Sequence, residues 1–196
     1  MDIKIDIKGL KELERNLTLT ARELERAAVM TLNKVIVKGK TEMKRAISSE
    51  FSVTQQEVSR KLMVQKAKRG SPVAVLEASE RRGRSFNLIR FMEKKVTIAQ
   101  YKKRRKAEGR PQLRFKIKRG GGYKTIKGAF VGNKGRTVFK RTGKGRLPIK
   151  PLRTVGVPGM FASRRVSSRV VNRIRKELPV EMDRAVAQVI RKRFKR

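Results

Sequence analysis

An α+β fold follows from three features of this 196-residue chain: a period-two apolar stretch at the start, long apolar stripes at three-and-four spacing near both ends, and a middle of short strand-like runs punctuated by glycine. The architecture expected is a long N-terminal amphipathic helix packed on a small antiparallel sheet, with a C-terminal helical segment kinked or broken at Pro179. Residues 1–160 read as one α+β domain with long basic loops at about 81–110, and residues 161–196 as a C-terminal helical extension.

Ile3, Ile5 and Ile7 alternate with Lys4, Asp6 and Lys8, the pattern of a half-buried strand that Gly9 ends. The period then changes. Leu10, Leu13, Leu17, Leu24, Ala28, Thr31 and Val35 keep helical spacing, and the helix is expected to run to Ile47 with an irregularity at Gly39. Thr54-Gln55-Gln56-Glu57 fits a capping box opening a second, short helix that ends near Leu62.

Val73 to Ala78 is a short apolar run, and Leu113 to Lys118 alternates with three cations on its outer face. Gly120 to Gly122 marks a turn. Phe130-Val131, Val138-Phe139 and Leu147-Pro148-Ile149 follow, separated by Gly132-Asn133-Lys134-Gly135 and Thr142-Gly143-Lys144-Gly145. They predict a small antiparallel sheet with one basic face. In the last 35 residues Val166, Val170, Ile174, Leu178, Met182, Val186, Ile190 and Phe194 recur every four positions, interrupted by Pro179. The N-terminal and C-terminal stripes predict a core or subunit seam, with Leu13, Leu17 and Leu24 of the first and Val170 and Ile174 of the second as packing residues.

Charge is the strongest functional signal. Residues 1–60 hold 12 Lys/Arg against 9 Asp/Glu, whereas residues 61–196 hold 42 against 7. From Gly109 to Lys176 there are 21 cations and no carboxylate. Such a stretch cannot neutralise itself, and a net +38 opposes a compact monomer, so an anionic partner is expected: a nucleic-acid backbone or acidic protein. The residues expected to touch it are the five successive cations Lys102, Lys103, Arg104, Arg105 and Lys106, and the loop cations Lys134, Arg136, Lys144 and Arg146.

Catalysis has little to work with. The chain lacks His and Cys, which removes the commonest general acid/base, thiol nucleophiles and most zinc sites, and no metal or other cofactor is expected. Glu77 and Glu80 form the one close carboxylate pair of the middle region, a weak basis for a magnesium nuclease. Gly143-Lys144 lacks both a following Ser/Thr and a glycine five positions earlier, so these glycines read as turns rather than a nucleotide loop. No segment reaches the ~18 consecutive apolar residues of a membrane span, and Met1-Asp2-Ile3-Lys4 does not open a signal peptide, so an intracellular start is expected.

Two readings remain on physical grounds. Phe115, Tyr123, Phe130 and Phe139 interleave with the cations as a nucleic-acid stacking platform requires, although the same alternation fits an ordinary sheet core, the reading we favour. A ribosome-like or other sequence-nonspecific nucleic-acid binder is one reading, and a structural assembly subunit is the other.

The order of local patterns resembles the minor tail protein Z family of lambda-like phages, also called tail completion proteins. Ile7-Lys8-Gly9-Leu10-Lys11-Glu12-Leu13-Glu14 is similar to the start of that family. Gly120-Gly121-Gly122, Gly128-Ala129-Phe130, the run from Val138 to Ile149, Val157-Pro158 and Arg175-Lys176-Glu177-Leu178-Pro179 follow in the family's order over nearly the whole chain. The resemblance implies a non-enzymatic virion subunit at the head-proximal end of a non-contractile tail, made in the host bacterial cytoplasm. Its implied partners are terminator, tape-measure or neck proteins and genomic DNA, in a homo-oligomeric ring, often hexameric among related components.

Overall fold

The computed structural model describes residues 2–5, 19–78, 85–93, 103 and 112–194. Ile7, Leu10, Leu13, Leu17, Glu80, Lys102, Arg104, Arg105 and Lys106 lie outside them, and Lys103 is described only as an exposed helical residue.

The N-terminal strand β1 (Asp2–Ile5) pairs antiparallel with β3 (Ala74–Ala78), which pairs antiparallel on its other side with β2 (Leu62–Gln65). Alternation in β3 buries Ala74, Leu76 and Ala78 and leaves Val75 and Glu77 half-buried. Helix α1 (Ala21–Glu50) covers this sheet. It begins at Ala21 rather than near Leu10 because Thr20 is extended and closes a capping box with Glu23, satisfying the first free N–H groups of the helix. Thr54 and Glu57 form the second, expected box. Its helix, α2 (Gln55–Ser59), stops before Leu62, which enters β2 instead.

Gly39 produces no irregularity: α1 passes through it as a buried residue. After the short α3 (Val157–Phe161), helix α4 (Arg164–Arg193) runs back antiparallel along α1. Each of these two long helices has 30 residues, about 45 Å of rise. Pro179 sits inside α4, which is unbroken there. Its missing N–H deprives Arg175 of one helical bond on the exposed side, while Ile174 and Met182, on either side of it in sequence, stay packed on α1.

One core joins Leu32, Val35, Ile36, Met43 and Ile47 of α1 to Leu76, Phe115, Val138, Met160 and Phe161, and to Val166, Val170 and Ile174 of α4. A second cluster, Leu19, Leu24, Ala27, Met182, Ala185 and Val189, lies at the other end of the helix pair. Leu24, Val170 and Ile174 are buried in these clusters.

The single sheet expected for the middle is instead divided. β4 (Arg114–Phe115) pairs with β5 (Lys124–Thr125) and bridges to Met92, and β6 (Ala129–Gly132), β7 (Thr137–Arg141) and β8 (Ile149–Pro151) make a separate antiparallel sheet in that order. Leu113 to Lys118 is shortened because its backbone bonds go to several segments. Lys116 N donates to Phe91 O (2.8 Å), Arg114 O accepts from Glu93 N (3.0 Å), and Ile117 O accepts from Ser52 N (2.9 Å).

Candidate polyanion interface

The carboxylates are gathered on and around the helix pair. Glu23 faces Arg193 (4.0 Å), Glu42 faces Arg169 (2.6 Å), Glu50 faces Arg165 (3.6 Å), and Lys38 bridges Glu177 and Glu181 (2.6 Å each). Glu181 is only 3% exposed and also receives Arg184 at 2.7 Å. The hydrogen bond from Lys38 outweighs burial and, with Arg184 helping, holds this carboxyl down to about 2. Lys38 is correspondingly raised, first by its hydrogen bond to Glu177 and then by that to Glu181.

Residues 112–156 present the opposite balance, 14 Lys/Arg and no Asp/Glu. Among the described residues, Arg114 is the one of these cations with a carboxylate partner, Glu93 at 3.6 Å. Cross-strand register adds to the imbalance: Lys140 stands directly opposite Lys150, both exposed, where like charges destabilise a sheet.

Strand alternation decides where the cations sit. Val138 is fully buried and Phe139 is on the other face of β7, so Lys140 shares the side of Val138 while Arg141 shares that of Phe139. The cations thus lie on both sides of the sheet rather than on one basic face, which corrects the sequence expectation, and one group of them collects at the end where β7 runs out. There, Gly128, Lys140, Arg141, Gly143, Lys144, Gly145 and Arg146 line an open cleft of about 460 Å³. Arg141 is held by three contacts. Its guanidinium lies 5.4 Å from the Phe130 ring centroid, and its Nη1 donates to Gly145 O (3.2 Å) and to Arg146 O.

Lys144 and Arg146 enter this cleft, but Lys134 and Arg136 occupy the turn at the opposite end of β7, so the four loop cations form two groups. The aromatic residues also separate. Phe115 is core, Phe130 and Phe139 stack on each other at 6.0 Å, and Tyr123 is 44% exposed with Arg114 and Lys116 each 5.5 Å from its ring. A continuous four-ring platform is therefore absent among the described residues.

Arg141 and Asn87 escaped the sequence reading. Asn87 Oδ1 accepts from Val138 N at 2.9 Å and its Nδ2 donates to Val138 O at 3.4 Å, tying residues 85–93 to β7. Neither has a motif; the one available signal for Arg141 was its place immediately before the glycine-rich loop. Glu77 is half-buried in β3, and no cluster of three metal-binding side chains occurs among the described residues. No helix among them is long and apolar enough to cross a membrane.

An α+β scaffold that keeps most of its described carboxylates on a helix pair and presents an unbalanced cationic sheet defines a protein built to meet other macromolecules. Residues 7–196 match the family model of prophage minor tail protein Z (GPZ), and the chain belongs to that family. It is accordingly a structural protein of a phage tail, located in the virion tail with other tail proteins as partners. No curated protein and no solved structure matches it.

Proposed function

We propose that this subunit completes the head-proximal end of a non-contractile tail, supporting tail assembly, head–tail joining and the passage or positioning of DNA. The helix pair serves protein contacts, and residues 112–156 meet genomic DNA. The observation that carries this reading is the segregation of charge: Glu23, Glu42, Glu50, Glu177 and Glu181 are paired between α1 and α4, while the β6–β8 sheet keeps its cations unneutralised. A ring of such subunits needs an internal polyanion, because copies carrying +38 each repel one another. Non-enzymatic action and a homo-oligomeric ring, hexameric by the resemblance, belong to the same proposal, as do terminator, tape-measure and neck proteins as neighbours.

Electron cryo-microscopy of intact tails tests it. Density for this subunit as a ring at the head-proximal end, with β6–β8 turned to the lumen, is the expected result. A position elsewhere on the tail, or the sheet turned away from DNA, overturns it. Co-sedimentation with ribosomal subunits instead of tails would favour the general nucleic-acid binder.

A further inference from the structure

We propose that the cleft between the start of β6, the end of β7 and the loop 143–146 is a preorganised seat for one backbone phosphate of nucleic acid, organised by Arg141. This rests on the DNA-facing reading above and assigns it a specific site.

Three observations set this cleft apart from the rest of the basic surface. First, Arg141 is fixed before any ligand arrives: the Phe130 ring supports its face, and Nη1 is spent on the carbonyls of Gly145 and Arg146. A guanidinium ordered in advance loses less freedom on binding an oxyanion than a free lysine does. Its hydrogen bonds also hold the loop that carries Lys144 and Arg146 back against the strand end.

Second, the lining contains the cations Lys140, Arg141, Lys144 and Arg146 and no carboxylate. That charge exceeds what a single carboxylate neutralises, and it suits a phosphodiester whose neighbours along the backbone carry charge too. Third, glycines set the shape of the lining. Gly128 has φ +76°, a conformation that L side chains rarely adopt, and a Cβ on Gly145 would lie 3.2 Å from Leu147 O.

A second copy of this chain is a poor occupant. Among the described carboxylates, all but Asp2, Glu77 and Asp183 are engaged in ion pairs or hydrogen bonds within the subunit. Nor does backbone pairing along the outer edge of β8 compete well, because Pro151 lacks the outward N–H group that a new strand would require.

The test uses the full ¹⁵N-labelled chain and inorganic phosphate, followed by a short duplex DNA of arbitrary sequence. Phosphate is expected to give saturable shifts of the Gly143 and Gly145 amides, while Gly120, Gly121 and Gly122, beside Lys118 and Arg119, shift only weakly. Arg141→Ala should weaken phosphate binding about tenfold or more through loss of charge-assisted bonds. Arg141→Lys, which keeps the charge, should still weaken it several-fold if ordering of the fork matters.

DNA should displace phosphate from the same amides. Linear, non-saturating shifts equal at both glycine groups mean general ionic attraction and overturn the seat, whatever the DNA result. Saturable phosphate binding without displacement by DNA, but with displacement by an acidic peptide, overturns the nucleic-acid assignment. Failure of wild type to bind DNA at low salt instead overturns the DNA-facing reading itself.

Discussion

The side chain of Ile174 lies over the bare Cα of Gly39, so close that a Cβ added there would come within 3.2 Å of Ile174 Cδ1 and 3.3 Å of Cγ1. This contact sets the spacing of α1 and α4 at the middle of their antiparallel pairing. Alanine at position 39 gains about 1 kcal/mol of helix propensity but crowds a side-chain end that has to shift by a few tenths of an ångström. The two effects oppose, and Gly39→Ala should leave stability within about 1 kcal/mol of wild type. Gly39→Val adds volume without that propensity gain and should cost about 1–3 kcal/mol, measured by urea unfolding.

Glu181 makes the helix pair sensitive to acid. Its carboxyl is held at about 2, below the ordinary 4.5, by the hydrogen bond from Lys38 and then that from Arg184, against the opposing effect of burial. A lowered folded value means that ionisation stabilises the native state above pH ~4.5, and that this contribution disappears as pH falls toward ~2. Glu177, lowered first by its own bond to Lys38, acts in the same direction. Glu181→Gln should be less stable than wild type at pH 7, and the gap should narrow by pH 2.5. Urea midpoints at the two pH values check it; an equal gap at both would place the cost in packing rather than charge.

Sequence patterning revealed what local rules govern. The β3 alternation, the Thr54 capping box, the α1 stripe and the α4 stripe each report a face or an end set by neighbouring residues. The Thr20-Ala21-Arg22-Glu23 box carried the same signal as the Thr54 box, but the leucine stripe through Leu10, Leu13 and Leu17 masked it. Of the two alternatives at Pro179, a kink or a break, the break is excluded, because α4 is one helix that stays packed on both sides of the proline. In the candidate interface, Lys144 and Arg146 could be singled out from loop charge, but their grouping with Lys140 and Arg141, apart from Lys134 and Arg136, depends on strand register. Register comes from long-range pairing that charge density does not encode.

Asn87 offers a test of how that sheet is held to the core. Its side chain satisfies both backbone groups of Val138, a residue with no exposed surface. Asn87→Ala leaves the Val138 N–H without its partner and should cost about 1–3 kcal/mol. Amide hydrogen exchange should accelerate at Val138 and along β7 more than in α1. Uniform acceleration would show that the sheet and helix pair open as one unit.

The last prediction uses the geometry of β7. Lys134 and Arg136 precede the strand, Lys144 and Arg146 follow it, and its five residues extend about 16 Å. That exceeds the ~8 Å screening length at physiological ionic strength, so the two groups act as separate charges on a DNA backbone. Each neutralised phosphate contributes about −0.9 to the log–log salt slope of affinity. Lys134→Ala with Arg136→Ala, and Lys144→Ala with Arg146→Ala, should each reduce the slope by up to about 1.8, and the fourfold variant by up to about 3.6. All these side chains are exposed, so melting temperatures should stay close to wild type. Anisotropy titrations from low to moderate salt supply the slopes, and tail complementation supplies the biological readout. If the second pair abolishes incorporation into tails while the slope stays at its wild-type value, the loop after β7 docks on an acidic tail protein, and the assignment of that loop to DNA fails.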